Sequence, residues 1–460
     1  MKRIISLILV AVMAIGLTAC SAASPTTGAA AETTAAAAQQ SEAASDTTLR
    51  FIDVSPSPTR QTYFETTFAK FKEETGITVT YESVPWDDAA NKLTVMGTSN
   101  NLPDVMSVWA GWLGQFVPAG WVLPLDDYIK DTRDTYTLTV DKLIWGGEEE
   151  RFGHVYTVPD GMMVKGVYVR KDWAEAAGFK LEDSWTYDDF FKLVETLREP
   201  AQNHYGASYR GARGAFDPLL VYLQTQTGGR VYDDQGNILI NSPEAIAAFK
   251  KWTDVYLKGY APKEAVNWGF VEMVDNFTGG LTGTLINDSE VAVTCQANMQ
   301  PEQWTVMPMP KSTVDGKIYN AVNSPYAYSI SDDSKNPEAS WKLIEFLTRS
   351  DNNIEYCKMN GLIPIKKDVS NDPTYGEDGP YSAFVKQLND PALVVPTSYG
   401  AFDVTDMHQG MLHEEVQKYL LGQQSAEDAL GNISTELEKR MKQYLADNPG
   451  SVVETPKTLS

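Results

Sequence analysis

Apolar positions along the chain alternate between the spacing of strands and the spacing of helices. Residues 49–54 favour a strand, and Phe64, Phe68 and Phe71 then recur at the spacing of one helix face. Gly76 follows this stripe as the expected stop, because glycine readily adopts the left-handed conformation that ends many helices. The pattern predicts that the folded part of the chain begins with a strand and an amphipathic helix.

The alternation continues beyond this helix. Residues 77–81 are β-branched and aromatic, a shorter helical pattern covers 89–96, and residues 104–108 favour a third strand. The order β-α-β-α-β predicts a mostly parallel sheet with helices on both faces. Ligands of such sheets bind beyond the carboxyl ends of the strands, which here are residues 55–57 and 109–112.

Caps mark the starts of later helices. Ser242-Pro243-Glu244 and Asn336-Pro337-Glu338 each place a cap residue, a first-position proline and an acid before an apolar stripe. Ser425 precedes a longer amphipathic pattern near the end of the chain. The α/β alternation therefore extends over the whole folded part.

The N-terminal segment predicts export rather than a fold. A basic pair precedes an apolar run over residues 4–15, which is too short to span a bilayer, and Leu17-Thr18-Ala19-Cys20 resembles the lipobox of bacterial lipoproteins. We expect 1–19 to be a lipoprotein signal peptide, Cys20 to be the lipidation site, and 20–48 to be a disordered polar tether. An ordinary secretory signal, or a buried helix with an incidental cysteine, is the alternative.

Composition and charge exclude several classes of protein. The chain has 61 acidic and 38 basic residues, a formal net charge of −23, so it repels phosphate backbones and nucleic acid is not an expected partner. A mean hydropathy of −0.29 excludes a polytopic membrane protein. Three cysteines exclude a disulfide scaffold. Cys295 and Cys357 could pair, but two buried thiols are favoured.

The known sequence motifs of catalysis, cofactor binding and metal binding are absent. The sequence has no phosphate-binding loop, nucleophile elbow, zinc-protease motif or dinucleotide-binding glycine pattern. His408 and His413 are five residues apart and would not share one helix face for a metal. We therefore expect no cofactor, no metal and no enzymatic activity. A surface glycosidase is the enzyme alternative, because its two carboxyl groups cannot be recognised from one sequence.

Aromatic residues outside the regular periodicity point to a ligand. The chain has 11 tryptophans and 22 tyrosines. Sugar rings present apolar C–H faces that stack on aromatic rings, while their hydroxyl groups need polar partners. Core packing is the alternative role for each ring, since tryptophan is highly buried on average. The aromatic residues at predicted loop positions are Trp86, Trp109, Trp112, Trp268, Tyr326, Tyr399 and Phe402.

Short motifs occur along the chain in a characteristic order. They are residues 64–79, Val84-Pro85-Trp86-Asp87-Asp88, Leu102-Pro103-Asp104-Val105, Leu123-Pro124-Leu125-Asp126-Asp127, Tyr156-Thr157-Val158-Pro159, Val169-Arg170-Lys171-Asp172, residues 185–190, residues 336–341 and Gly361-Leu362-Ile363-Pro364. In this order they resemble the extracellular solute-binding proteins of carbohydrate ABC transporters, the maltose-binding-protein-like group. The resemblance covers roughly residues 49–450.

The resemblance implies an α/β fold of the two-lobe, periplasmic-binding-protein-like type (class II). Each lobe is expected to be a mostly parallel sheet flanked by helices, with the ligand in the cleft between the lobes. The expected crossings lie near Val158-Pro159, from Ala321 to Ser324 and from Leu362 to Pro364. The expected N-terminal lobe is 49–157 plus 321–362, and the expected C-terminal lobe is 158–320 plus 363–460.

The resemblance, together with the loop aromatics, nominates ligand-binding residues. Where the family often has glycine and an aromatic residue, this chain has Asp288 and Glu290, so we expect a ligand other than a plain maltodextrin. The second crossing carries Asn323 and Tyr326 where the family is usually rich in glycine. The expected ligand-binding residues are Ser55, Ser57, Asp87, Trp109, Trp112, Asp160, Arg213, Phe216, Trp268, Asp288, Glu290, Asn323, Tyr326, Tyr399 and Phe402.

These expectations define a predicted function. The chain would be the extracellular substrate-binding component of an ABC sugar importer, capturing a sugar, in the first place an oligosaccharide, and delivering it to the transmembrane permease subunits. The alternative is a non-sugar solute such as a polyamine or a peptide, since the acids nominated above would suit a cation. We expect a monomer at the outer face of the cell membrane, held there only by the lipid on Cys20.

Overall fold

The computed structural model describes residues 47–182, 184–324, 326–400, 402 and 404–459, without the side chains of Asp87, Ser370 and Thr405. The predicted signal peptide, the lipidation site Cys20 and the predicted tether up to residue 46 therefore lie outside the described residues. Within the described ranges, no helix combines the length and apolar character needed to cross a membrane.

Strands and helices alternate through the described chain. The strands are β1 (Thr48–Asp53), β2 (Thr78–Ser83), β3 (Val105–Val108), β4 (Val158–Pro159), β5 (Met163–Arg170), β6 (Thr284–Asp288), β7 (Trp304–Met307), β8 (Ile318–Tyr319), β9 (Val322–Asn323), β10 (Ala327–Ile330), β11 (Leu393–Val395) and β12 (Lys457–Thr458). The α-helices are α1 (Pro58–Thr75), α2 (Trp86–Thr98), α3 (Leu113–Phe116), α4 (Asp126–Ile129), α5 (Gly146–Phe152), α6 (Lys171–Ala176), α7 (Tyr187–Thr196), α8 (Phe216–Gln224), α9 (Pro243–Leu257), α10 (Phe270–Thr278), α11 (Val291–Asn298), α12 (Pro337–Leu347), α13 (Ser350–Asn360), α14 (Ser382–Leu388), α15 (Thr405–Gln409), α16 (Met411–Leu420) and α17 (Ala426–Asp447).

The first sheet has the strand order β2-β1-β3-β10-β4. Strand β1 pairs in parallel with β2 and β3, while β10 runs antiparallel to β3 and β4. Ala327, at the start of β10, lies opposite Val108 and Pro159, at the ends of β3 and β4. One edge of this sheet therefore collects the residues that follow β1, β3 and β4 and the residue that precedes β10.

Helix α1 shows how the apolar pattern produces the packing of the first sheet. The predicted phenylalanine stripe is buried, and the rings of Phe64 and Phe51 lie 4.8 Å apart between α1 and β1. The helix begins where Ser57 Oγ accepts a hydrogen bond from Arg60 N (3.2 Å), and it ends at Gly76 with φ of 75°. The predicted strand, helix and stop are confirmed.

The second sheet has the order β6-β5-β7, and β9 pairs with the start of β5. Both long pairings of β5 are antiparallel, with Lys165 opposite Asp288 and Tyr168 opposite Val306. This differs from the expected parallel pairing. Strands β6 and β7 are joined through α11 and run parallel to each other, as the β-α-β order requires. Strand β5 lies between them. It enters from the first sheet and therefore runs in the opposite direction.

Three segments that link the two sheets lie side by side. Met162 forms a bridge with Ile363, and the start of β5 pairs with β9 through Met163 and Asn323. These segments coincide with the three expected crossings. These strand pairings do not show which residues move together as one lobe. The boundaries between the lobes therefore stay a prediction. A third sheet, β12-β11-β8, lies in the part of the chain assigned mainly to the second lobe.

The two cysteines outside the N-terminal segment are buried free thiols, as favoured. Cys295 lies on α11 and Cys357 on α13. Burial raises the pKa of the Cys295 thiol to about 12, so the reactive thiolate is suppressed at neutral pH. These side chains act as small apolar residues of the core.

Candidate ligand-binding site

Four aromatic side chains meet at the edge of the first sheet where β1 and β3 end. We call Trp86, Trp109, Trp112 and Tyr326 the aromatic shelf. Trp86 stacks on Trp112 with ring centroids 5.1 Å apart and planes 18° apart. Trp109 and Tyr326 meet the Trp86 ring edge-on, at 6.0 and 5.8 Å. Residues from three distant parts of the chain thus form one surface, because the strands end at one edge.

The aromatic shelf is open to solvent. Trp86 is 42% exposed and Trp109 is 45% exposed, although large aromatic rings gain most from burial. Gly111 allows this placement of Trp109, because a Cβ at Gly111 would come within 2.3 Å of the Trp109 ring. The shelf is a preformed apolar platform that a ligand with an apolar face would cover.

A buried ion pair supports the shelf from below. Arg60 of α1 donates to both carboxylate oxygens of Asp53 at the end of β1, at 2.8 and 3.2 Å. Its guanidinium lies over the ring of Tyr326, 5.1 Å from the centroid. Tyr81 adds a third hydrogen bond to Asp53 (3.1 Å). These contacts fix Tyr326 at the base of the shelf.

Three predicted polar residues lie at this edge in different settings. The half-buried Ser55 donates its backbone N–H to Asp53 Oδ1 (3.0 Å), and the exposed Ser57 caps α1. Asp160 is 0% exposed, and its Oδ2 accepts a hydrogen bond from the Tyr356 hydroxyl (2.5 Å). Burial raises the pKa of Asp160 to about 7. Asp160 therefore lies beneath the surface that carries the shelf.

Charged side chains line the edge of the second sheet that is nearest the crossings. Lys165 Nζ and Asp288 Oδ2 are 2.7 Å apart, with both side chains mostly buried. Glu290 follows two residues later and is half-buried. Burial raises its pKa, and the Asp288 charge raises it further. Lys165 lies near the start of β5, just beyond the crossing, so this charged edge lies close to the crossing segments.

A second polar group adjoins this charged edge. The Tyr399 hydroxyl donates to Asp217 Oδ1 (2.9 Å), and the Tyr399 ring meets His408 edge-on at 4.9 Å. Phe216 stacks near Tyr399 at 6.5 Å but is only 1% exposed, so its ring belongs to the core. Tyr399 is therefore held in place by an acid, an imidazole and an apolar ring.

The other predicted residues differ in exposure and position. Arg213 is exposed in the turn before α8, and Asn323 is exposed on β9 at the crossing. Trp268 is 8% exposed within the main core. Phe402 is half-buried, with its ring 6.5 Å from that of Tyr444. Asp87 follows Trp86 at the start of α2, and its side chain is not among those that the structure describes.

The structure thus gathers most predicted residues into two groups. The first group, at the edge of the first sheet, is Ser55, Ser57, Trp109, Trp112 and Tyr326, with Asp160 beneath. The second group, at the edge of the second sheet, is Arg213, Phe216, Asp288, Glu290 and Tyr399. Trp268 and Phe402 lie outside both. In the described ranges, no set of three or more histidine, cysteine or acidic side chains could hold a metal ion.

Three residues at these edges were not assigned to the site from sequence. Trp86 was noted only as a loop aromatic, and the structure places it at the centre of the shelf. Lys165 lies in an apolar strand, and only the cross-strand register brings it to Asp288. Arg210 follows an extended segment that bonds to β6 through Ser208 N and Thr284 O (2.7 Å). An isolated charge inside an apolar strand is the one signal that could have found Lys165.

Comparison with protein families agrees with this geometry. The profile of the family described as bacterial extracellular solute-binding protein matches residues 55–354. A binding protein of Brucella abortus (strain 2308) is 23% identical over 350 residues, covering 75% of this chain and 82% of its own. The maltotriose-binding protein of Pyrococcus abyssi is 24% identical over 317 residues, covering 66% of this chain and 63% of its own.

Comparison with solved structures concerns the fold. The sugar-binding protein MalE from Xanthomonas citri superposes with a TM-score of 0.72 at 19% identity, covering 88% of this chain and 100% of that one. The shared architecture is the two-lobe α/β fold, which confirms the predicted fold class.

Proposed function

The chain belongs to the bacterial extracellular solute-binding proteins, and we propose that its solute is a sugar held in the cleft between the two lobes. The observation that carries this proposal is the aromatic shelf, an open platform of stacked rings at the edge where this type of sheet binds ligands. A sugar covers such a platform with its C–H face and turns its hydroxyl groups outward.

The charged edge of the second lobe complements the shelf. A sugar hydroxyl group both donates and accepts hydrogen bonds. At this edge Asp288 and Glu290 supply acceptors, while Lys165, Arg210 and Arg213 supply donors. Closure of the lobes would bring this edge onto a sugar resting on the shelf. The ligand drives that closure only as far as it binds the closed state better than the open one.

A polyamine or a peptide is the second candidate, because acidic side chains line this edge. Each acid there has a basic neighbour, however. Lys165 pairs with Asp288, and Asp217 and Glu290 lie near enough to Arg210 to counter the lowering of its pKa by burial. A polycation would meet these basic groups as well as the acids. The balance of charges favours a ligand that carries many hydroxyl groups and no net charge.

We propose further that binding occurs without turnover and serves an ABC importer, whose transmembrane subunits receive the sugar. The protein would act as a monomer on the outer face of the membrane, with acyl chains on Cys20 as its only anchor. The lipobox motif supports this proposal. In cell fractionation, Cys20→Ala should appear in the medium or remain uncleaved. A Cys20→Ala protein that stays processed and membrane-bound would refute the anchor.

A thermal-shift screen of the mature chain tests the sugar. The panel is maltose, maltotriose, lactose and mannitol, with spermidine and a tripeptide as the competing classes. We expect at least one neutral compound to raise the melting temperature, with a Kd of about 0.1–10 μM, or about −7 to −10 kcal/mol. The bound compound should be recovered unchanged. Stabilisation by spermidine or the tripeptide alone, or release of a shorter saccharide, would contradict the proposal.

A further inference from the structure

Arg210 and Glu290 are charged side chains at the second edge for which the described residues supply no side-chain partner. Both are half-buried, and within the described part of the chain neither forms a hydrogen bond or an ion pair with another side chain. Arg210 Nε is buried without an acceptor. Such groups are costly in a folded protein, and an unpaired donor of this kind calls for an explanation.

Arg210 and Glu290 both lie near the end of β6. Residues 205–208 run parallel to the start of β6, with a bridge between Tyr205 and Thr282, so Arg210 reaches the end of β6 where Glu290 follows. Burial lowers the pKa of Arg210 and raises that of Glu290, and the charge of each group partly offsets the shift of the other. Opposite charges at one edge, neither of them bonded to another described side chain, suit a ligand that offers both donors and acceptors.

The backbone of Gly214 is the surface on which the Arg210 side chain packs. It is the third residue of a turn closed by the hydrogen bond from Ala215 N to Ala212 O (2.9 Å), and its φ of +85° is one that side chains disfavour. A Cβ at Gly214 would lie 2.4 Å from Arg210 Cζ and 2.6 and 2.7 Å from its two terminal nitrogens. The guanidinium therefore lies flat on the glycine backbone.

We propose that Arg210, seated on Gly214, and Glu290 form an opposite-charge pair that binds neighbouring hydroxyl groups and selects uncharged sugars and polyols. This inference rests on the proposed function. The planar guanidinium donates to hydroxyl oxygens in a fixed fork, and the carboxylate accepts hydroxyl protons. A sugar acid would bring its charge towards Glu290, and an amino sugar would bring its charge towards Arg210. Gly214 is a positioning residue that acts through Arg210.

The test measures Kd by calorimetry for the panel compound that binds the mature chain most tightly. Arg210→Ala should weaken binding at least tenfold, and Gly214→Ala should weaken it by a similar factor. Gly153→Ala is the matched control, because Gly153 has a φ of +82° and open space around its Cα. It should bind like the wild type. In the Arg210→Ala background, Gly214→Ala should have no further effect on Kd.

Selectivity is measured with glucuronate and glucosamine against glucose. Glu290→Gln should improve the relative affinity for glucuronate, and Arg210→Gln should improve that for glucosamine. If Gly214→Ala weakens binding equally with and without Arg210, or if the relative affinities do not move, the inference is wrong while sugar binding stands. If the wild type binds spermidine and no neutral compound, both the proposed function and the inference are overturned.

Discussion

The two sheet edges that face the proposed ligand carry side chains of different chemistry. The edge of the first sheet is aromatic and open, held by stacking and by a buried ion pair beneath it. The edge of the second sheet is charged and is held by the Lys165–Asp288 pair, and among the described residues Arg210 and Glu290 have no side-chain partner there. Stacking tolerates many sugars, because every sugar ring has an apolar face, whereas hydrogen bonds to charged groups demand a defined arrangement. We infer that the first edge binds sugars of many kinds and that the second edge determines which of them bind tightly.

The largest expected effect concerns the ion pair that shapes the second edge. Lys165→Met leaves Asp288 mostly buried without its partner, so the free energy of unfolding should fall by about 3 kcal/mol. Urea unfolding measures this. The matched control is Lys250→Met, which breaks an exposed pair of 2.6 Å with Glu427 and should cost less than about 1 kcal/mol. Equal losses in both variants would show that the second edge is not held by this pair.

Removing a shelf ring should separate affinity from stability. Trp109→Ala loses a stacking contact of about 0.5–1.5 kcal/mol and the area it buries, so Kd should rise tenfold or more. The ring is nearly half exposed, so the melting temperature of the empty protein should change little. Phe270→Ala, which removes an exposed ring from the start of α10, is the control for affinity. A large loss of stability at unchanged affinity would make Trp109 a core residue.

A smaller effect is expected for a single acceptor of the second edge. Glu290→Gln keeps the shape of the side chain and removes its charge, so Kd for the panel compound should rise about fivefold, or about 1 kcal/mol. Calorimetry measures this, with the exposed Glu302→Gln as control. An unchanged Kd in Glu290→Gln would remove this carboxylate from the proposed site.

A pH dependence of stability is expected beneath the first edge. Burial raises the pKa of Asp160 from 3.8 to about 7. Between these values the unfolded chain has lost the proton while the folded protein keeps it, so the contribution of Asp160 to stability falls as pH rises from about 4 to about 7. The groups around it are Asp53, Arg60, Tyr328 and Tyr356. Asp160→Asn should flatten this part of the curve in urea unfolding. An unchanged slope would mean that Asp160 stays ionised.

Sequence patterns predicted local structure well where neighbours along the chain determine it. The stripe of α1 and its Gly76 stop depend on residues within a few turns of one another, whereas Ser57, expected to bind ligand, proved to be the cap of this helix. The position of Trp109 at the edge of the sheet was predicted for the same reason, because it directly follows β3. The antiparallel placement of β5 was not predicted, because it depends on how the chain passes from one sheet to the other.

The residues that sequence reasoning missed depend on contacts across the fold. Lys165 meets Asp288 only through the register of β5 and β6, and Arg210 needs the turn at Gly214. Conversely, Asp160 has the right chain position for the cleft, yet the fold covers it with α13. Chain position identifies an edge of a sheet, and the packing decides which side chains remain exposed there.

The most direct test of the account is a crystal structure of the mature chain with the tightest-binding panel compound. We predict a sugar or polyol whose apolar face lies on Trp109 or Trp86 and whose hydroxyl groups contact Arg210 and Glu290, with the lobes closed over it. A ligand bound elsewhere, or one in the cleft that leaves the aromatic shelf exposed to solvent, would contradict the division between a capturing edge and a selecting edge.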